Sequence, residues 1–247
     1  MRRPLASWAS AIAILAAGPA AATRPALDPA PFSAAMPGTA PRDIAWVPLA
    51  LPKVAPPAME LVAEDGVTVL RSVAAAAAGT VAYALGHDAN VRPMLRWRWK
   101  VDRVVAKADL AEKSGDDFAA RVYVFFDVPA AAMPWTTRVK YFVARNLYGQ
   151  SLPTAALCYV WDNRHAPGTA RWNPYTDRVR TVVLRSGGAG PWASESRDLA
   201  ADFREAFGAG WHGPVPRVTG IAVGNDTDQT GERVTAWFGD FRLEPRP

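Results

Sequence analysis

Two adjacent carboxylates, Asp116 and Asp117, stand directly before a strongly apolar run that carries Arg121. Glycoside hydrolysis uses two carboxylates about 5 to 9.5 Å apart. Neighbouring residues of a strand point to opposite faces, so these two are not expected to form that pair with each other. If the strand extends back to Asp117, that side chain shares a face with Arg121, and the spacing predicts an ion pair at the strand entrance. The alternative is catalysis, in which Asp117 acts with a distant acid such as Glu195.

A second set of residues suggests ligand binding through aromatic side chains. In "AARVYVFFD", the side chains of Arg121 and Tyr123 alternate with a more apolar face, and in "ALCYVW" the aromatic side chains alternate with Cys158 and Val160. An open sheet face that combines aromatic platforms with polar groups suits a glycan. The pattern predicts a glycan-binding face composed of Arg121, Tyr123, Tyr159 and Trp161. The alternative is that helices or loops cover both sheet faces.

The stretch "NDTDQTGE" resembles the opening of a calcium loop. Asp226, Asp228 and Thr230 offer oxygen ligands at alternate positions, and Gly231 follows them. The position of the closing glutamate is occupied by Trp237 inside a predicted strand, so the segment is not an EF-hand. The competing interpretation is a hairpin connection rich in turn-forming residues. No motif requires a cofactor, and calcium at Asp226 and Asp228 is the one metal that the sequence suggests.

Several other classes of function find no support in the sequence. There is no G-x-S-x-G elbow, P-loop, H-E-x-x-H or CxxC motif. Cys158 is the single cysteine, and its apolar surroundings indicate a packed side chain. The formal charge of +5 comes from scattered basic residues, so no stripe predicts nucleic-acid binding.

The first 42 residues are predicted to be an export signal followed by a linker. Two arginines, an apolar run and the small residues "AAA" form a signal peptide over residues 1–22, and the Pro/Ala-rich residues 23–42 form a disordered linker. Both the periplasm and the extracellular space fit this signal. No other stretch is long and apolar enough to cross a membrane, so no span remains after cleavage.

The rest of the chain, residues 43–247, is predicted to be one mostly β domain. Short segments of β character are separated by turn residues, as in a sandwich. The predicted strands are residues 46–51, 67–73, 80–86, 94–101, 119–127, 156–161, 178–186, 217–225 and 232–243. Helical spacing predicts two accessory helices, at residues 138–147 and 198–208. The expected fold is an antiparallel jelly-roll-like β-sandwich with these two helices.

Five long motifs follow one another along the chain. They are "LRWRWKVD", "KSGDDFAARVYVFFD", "ALCYVWD", "SGGAGPWASESRDLAADFREAFG" and "GIAVGNDTDQTGERVTAWFGDFRL". The set resembles the bacterial exported family known as domain of unknown function 3047, over nearly all of residues 46–243. The resemblance implies a single exported domain and no particular activity.

Three functions are compatible with these observations. The first is a non-catalytic module that binds a glycan or a related polar ligand of the cell envelope. The second is a hydrolase that acts on an envelope polymer through paired carboxylates, with Asp117 and Glu195 as candidates. The third is a structural or protein-binding role in the envelope. The aromatic and arginine side chains favour the first, so the sequence leans towards a protein that is not an enzyme.

Overall fold

The described residues form two β-sheets. The computed structural model describes residues 27–129 and 154–247. The strands, in chain order, are β1 (Val47–Ala50), β2 (Ala58–Glu64), β3 (Val67–Ala75), β4 (Ala78–His87), β5 (Met94–Val101), β6 (Phe118–Phe126), β7 (Ala155–Asp162), β8 (Ala170–Asn173), β9 (Thr176–Ser186), β10 (Ala193–Asp198), β11 (Val218–Asp226), β12 (Arg233–Phe238) and β13 (Arg242–Glu244). One α-helix, α1 (Leu199–Phe207), follows β10.

The strand order confirms the predicted jelly-roll-like sandwich. The seven-stranded sheet has the order β1-β4-β11-β6-β7-β9-β8, and the second sheet has the order β10-β5-β12-β3-β2, with β13 also paired to β5. The described pairings are antiparallel except that of β7 with β9, which is parallel. β1 is an edge strand, as Pro48 predicts, because proline has no N–H to donate to a neighbouring strand.

Aromatic side chains between the sheets hold the two layers together. Leu95, Trp97 and Trp99 of β5 are buried, while the basic residues that alternate with them point outward, as the sequence predicts. The ring centroids of Trp97 and Tyr159 lie 5.6 Å apart, and those of Trp99 and Trp161 lie 5.7 Å apart. Each such pair contributes about 0.5–1.5 kcal/mol beyond the burial of its area. Two of these rings, Trp99 and Tyr159, also carry the polar atoms that reach the candidate site.

The helix α1 begins and ends as its sequence predicts. The side chain of Asp198 accepts hydrogen bonds from the N–H groups of Ala200 and Ala201, both at 3.0 Å, and Gly208 follows the last helical residue. Phe203 faces inward and packs on Phe126, with 4.8 Å between the ring centroids. The other predicted helix, at residues 138–147, and the predicted signal peptide lie outside the described residues. Among the described helices, none is long and apolar enough to cross a membrane.

The predicted linker is wrong for residues 27–42. This segment contains two short 3-10 helices, Phe32–Ala34 and Pro41–Ile44. Phe32 is buried against Trp46, with ring centroids 4.8 Å apart, and its neighbour Ser33 donates to Asp240. The Pro/Ala-rich composition suggested a chain with nothing to bury. The burial of Phe32 and the hydrogen bonds of Ser33 and of Ala30, whose carbonyl accepts from Trp46, dock the segment on the sandwich.

Sequence analysis missed three of the described strands, β2, β8 and β10, and of these β10 supplies Glu195 to the candidate site. Its sequence, "ASESRD", lacks the apolar alternation that marks a strand. β10 is an edge strand that pairs with β5, and Glu195 lies opposite Trp97. The pairing fixes the backbone of β10, so Glu195 has a defined position against the core.

Candidate inner-cleft binding site

A cleft of about 380 Å³ opens between β9 of one sheet and β10 of the other, and α1 lies along it. This volume is within the range of roughly 300–1,000 Å³ for small-molecule sites. We call it the inner cleft. The charged side chains of its lining are Arg180, Glu195, Arg197, Asp202 and Glu205. Val182 and Leu184 supply part of its apolar wall.

Glu195 is fixed by two donors that reach the same oxygen. The indole Nε1 of Trp99 donates to Oε1 at 2.9 Å, and Nε of Arg185 donates to Oε1 at 2.6 Å. Trp99 is fully buried, so its donor has a fixed position. Within the described parts of the chain, no donor reaches Oε2. Glu195 therefore offers the cleft a carboxylate oxygen with free acceptor capacity.

Asp202 is held in a similar way but is more completely satisfied. The hydroxyl of Tyr159 donates to Oδ2 at 2.5 Å, and Arg197 donates to Oδ2 at 2.9 Å and to Oδ1 at 2.5 Å. Burial and the nearby carboxylate of Asp202 raise the pKa of Tyr159 well above its ordinary value, so the phenol remains a donor. Burial lowers the pKa of Arg197, but the bonds to Asp202 outweigh it and raise the net value, so the guanidinium stays charged. Asp202 mainly anchors this side of the cleft.

An exposed aromatic side chain lies beside the inner cleft. Trp172 on β8 is 39% exposed, and the guanidinium carbon of Arg180 lies 5.1 Å from the centroid of its ring. Phe207 of α1 supports Trp172, with 5.4 Å between the ring centroids. Arg180 forms no ion pair with a carboxylate of the residues that the structure describes. The rim therefore combines an accessible ring with an unneutralised cation.

The predicted glycan-binding face does not exist as one surface. In the register of β6 with β7, Val122 pairs with Tyr159 and Tyr123 pairs with Cys158. Since paired residues share a face, Tyr159 lies between the sheets, whereas Tyr123 lies on the other side of its sheet. The sequence gives the alternation within each strand and leaves the register between strands undetermined.

The four predicted face residues are also buried. Trp161, which pairs with Ala120, packs against Trp99 between the sheets and is only 7% exposed. Arg121 and Tyr123 are each 4% exposed on the opposite side. The open face that motivated a ligand role for these residues is therefore absent. The role itself stays a prediction. Tyr159 contributes to the inner cleft indirectly, because it holds Asp202.

The predicted ion pair between Asp117 and Arg121 is wrong, because other carboxylates contact Arg121. Arg121 donates from Nε to Asp226 at 2.7 Å, and its Nη2 lies 3.6 Å from Oδ1 of Asp116. Asp117 instead accepts from the backbone N–H of Thr230 at 2.7 Å. The strand begins only at Phe118, so the alternation that placed Asp117 beside Arg121 does not extend back to it.

A cluster of acids surrounds this ion pair. One ligand oxygen from each of Asp117, Asp226 and Asp228 lies within 4.8 Å of the others. Such oxygens suit calcium, and the fold adds Asp117 to the two acids in the sequence-based prediction. Each is also engaged within the protein: Asp226 by Arg121, Asp117 by backbone N–H groups and Asp228 by Gln229 at 2.7 Å. Calcium here stays a prediction.

The fold does not bring the predicted catalytic acids together. Asp117 lies against the connection between β11 and β12, whereas Glu195 lines the inner cleft. The acid that shares the cleft with Glu195 is Asp202. Sequence analysis did not single out Asp202, although its position offers a signal. It is an acid three residues after the buried Leu199 of an amphipathic helix, where a buried carboxylate requires partners.

Solved structures with a similar arrangement are β-sandwich proteins of low sequence identity. One is the xyloglucanase domain of NopAA, a type three effector from Sinorhizobium fredii in complex with cellobiose, at 9% identity and a TM-score of 0.42, covering 79% of this chain and 90% of that one. Another is the catalytic domain of Humicola grisea Cel12A in complex with a thio cellotetraose, at 13% identity and a TM-score of 0.42, covering 77% and 87%. A third is the endoglucanase Cel12A from Rhodothermus marinus, at 10% identity and a TM-score of 0.41, covering 78% and 88%.

Comparison with curated proteins finds no match. The family model described as "Protein of unknown function (DUF3047)" matches residues 45–242, which is most of the chain. The long motifs around β5, β6, β7, β10 and β11 lie inside that match, apart from Leu243, the last residue of the final motif. The chain therefore belongs to the DUF3047 family.

Proposed function

We propose that the protein is an exported, non-catalytic module that binds a glycan or a related polar ligand of the cell envelope in the inner cleft. The observation that carries this proposal is the geometry of Glu195. Its carboxylate is locked by a buried indole and an arginine, and one of its oxygens is left for a ligand. The predicted signal peptide supports export.

The inner cleft supplies complementary groups for a sugar. A hydroxyl group of the ligand donates to the free oxygen of Glu195, and Arg180 donates to a ligand oxygen. The face of Trp172 covers the apolar C–H side of a sugar ring. Because Glu195 is already ordered by Trp99 and Arg185, little side-chain entropy is lost on binding, which favours affinity.

The ion pairs in the cleft favour binding over hydrolysis. A glycosidase needs one carboxyl group that is protonated and able to donate to the leaving group. Both Glu195 and Asp202 accept charge-assisted hydrogen bonds from arginines at 2.5–2.9 Å. This arrangement serves an acceptor of ligand hydroxyl groups, and it gives neither carboxyl the apolar, isolated environment of a general acid.

The test is a glycan array with the full chain, followed by calorimetric titration of the glycans retained. Glu195→Gln should weaken binding about tenfold or more, equivalent to roughly 1.4 kcal/mol, because an amide has one acceptor oxygen where the carboxylate has two. The matched control is Glu60→Gln. It alters an exposed acid of β2 that pairs with Arg71 on the outer face of its sheet, away from the inner cleft. Unchanged affinity in Glu195→Gln, or the same loss in both variants, would rule out the inner cleft.

A hydrolase is the second candidate, since Glu195 and Asp202 line one cleft. Turnover of peptidoglycan and polysaccharides by the full chain, abolished in both Glu195→Gln and Asp202→Asn, would establish it in place of the binding module. Glycans that bind without any turnover would support the binding proposal.

A further inference from the structure

A second groove lies on the outer face of the sheet that contains β5 and β10. It has a volume of about 660 Å³ and runs over β5, β10 and β13. We call it the outer groove. Arg96 and Arg98 reach it from the face of β5 opposite to Trp97 and Trp99, so it is separate from the inner cleft. Glu195 lines both because it belongs to an edge strand between them.

Arg98 is held in one position in this groove. Its guanidinium carbon lies 4.4 Å from the centroid of the Trp192 ring. A Cβ on residue 239 would stand 2.6 Å from Cγ and 2.8 Å from Nε of Arg98, so the arginine stem lies directly against the backbone of Gly239. Trp192 is itself fixed, because its Nε1 donates to Asp65 at 2.9 Å. Arginine normally loses considerable rotamer entropy when it binds a ligand, and here packing has already removed much of it.

The charge of Arg98 is not neutralised. Within the described residues, neither Arg98 nor Arg242 has a carboxylate within 4.0 Å, although both line the outer groove. Other arginines of the same sheet do have partners: Arg96 pairs with Glu244 at 3.0 Å, and Arg71 pairs with Glu60.

The acids of the groove have hydrogen-bond or ion-pair partners other than Arg98 and Arg242. Asp240 accepts from Ser33 at 3.0 Å, Glu195 accepts from Arg185 at 2.6 Å, and Glu244 is held by Arg96. Arg98 and Arg242 therefore lie in one groove without an ion-pair partner among the described residues, and Asp240, whose donors from Ser33 are neutral, is the one acid of the groove that no cation pairs with.

We propose that the outer groove binds an oxyanion group of a ligand, a carboxylate or a phosphoryl group, through Arg98 and Arg242. A planar guanidinium matches either group with two parallel hydrogen bonds, and such charge-assisted bonds are about twice as strong as neutral ones. Trp192 beneath Arg98 keeps the fork in place. This site is independent of the inner cleft and does not rest on the function proposed for it.

The experiment titrates the full chain with two probes, inorganic phosphate and an oligogalacturonate, at low and moderate salt. Binding is measured by calorimetry and by the NMR signals of the arginine Nε–H groups. We expect at least one probe to shift the signals of Arg98 and Arg242, and Arg98→Gln and Arg242→Gln each to weaken binding about tenfold. The matched control is Arg71→Gln, an arginine of the same sheet that is neutralised by Glu60 and should change affinity less than about twofold.

The two probes separate the two sources of the oxyanion. Binding of the oligogalacturonate alone identifies a uronate, and binding of phosphate alone identifies a phosphoryl group. Absence of binding by both probes in the unaltered protein overturns the proposal, and so does an equal loss of affinity in Arg71→Gln, which indicates nonspecific attraction. Either negative result leaves neutral glycan binding in the inner cleft untouched.

Discussion

At the scale of single residues, Arg121 shows how strongly the interior constrains a charge. It is buried with Asp226 and Asp116, and it also donates to the hydroxyl of Tyr123 at 2.8 Å. Burial lowers the pKa of Arg121, but Asp226 and its neighbours outweigh it, so the pKa lies well above its ordinary value and the side chain stays charged. The surrounding carboxylates depend on this single cation.

Removal of Arg121 should therefore be severe. Arg121→Ala should lower the free energy of unfolding by about 3–5 kcal/mol, because it leaves buried carboxylates without their counter-charge. Denaturant unfolding measures this change. Arg71→Ala is the control, since its pair with Glu60 is exposed and should contribute about 1 kcal/mol or less. Equal, small losses in the two variants would mean that the Arg121 cluster is solvated.

Asp228 allows a test of the acid cluster by pH. Burial and the nearby carboxylate of Asp117 raise the pKa of Asp228. A raised folded-state pKa stabilises the protein below the unfolded-state value of 3.8, and this stabilisation is lost as the pH rises through the folded-state pKa. Asp228→Asn should therefore raise the melting temperature at pH 7 and have a smaller effect near pH 4. A lower melting temperature for the variant at pH 7, without added metal, would contradict this sign.

The same variant tests the calcium prediction. If Asp117, Asp226 and Asp228 hold the ion, calcium at 100 times its dissociation constant should stabilise the unaltered protein by roughly 2.7 kcal/mol. Asp228→Asn should lose most of that gain. Thermal melts in excess calcium and in chelator measure both. Superimposed melts for the unaltered protein would leave the segment as a turn.

At the scale of elements, the cap of α1 positions one wall of the inner cleft. Burial acts to raise the pKa of Asp198, but hydrogen bonds from Arg246 and from the N–H groups of the first helical turn outweigh it and lower the net value. Asp198→Ala should destabilise the protein by about 0.5–2 kcal/mol. Because the folded-state pKa is lowered, this loss should shrink as the pH falls below the unfolded-state value of 3.8. Asp198→Asn keeps a capping oxygen and should lose less; equal losses in both variants would exclude a capping contribution.

At the scale of the whole molecule, the two sheets meet through aromatic rings that also serve the cleft. Trp99 packs on Trp161 and donates to Glu195, and Tyr159 packs on Trp97 and donates to Asp202. The core and the candidate site thus share the side chains of Trp99 and Tyr159. A substitution at Trp99 or Tyr159 is therefore expected to affect both stability and binding.

The sequence by itself determined the β class, the alternation of β5, the cap of α1 and the family, because these depend on local spacing and on continuous motifs. It could not predict that Glu195 and Asp202 line one cleft, since that cleft forms only when β9 of one sheet lies against β10 of the other. The partner of Arg121 and the faces of Tyr123 and Tyr159 depended on where β6 begins and on its register with β7. A shift of one residue reverses every side chain of a strand, so only the tertiary structure decided which of these residues face a ligand, an ion pair or the core.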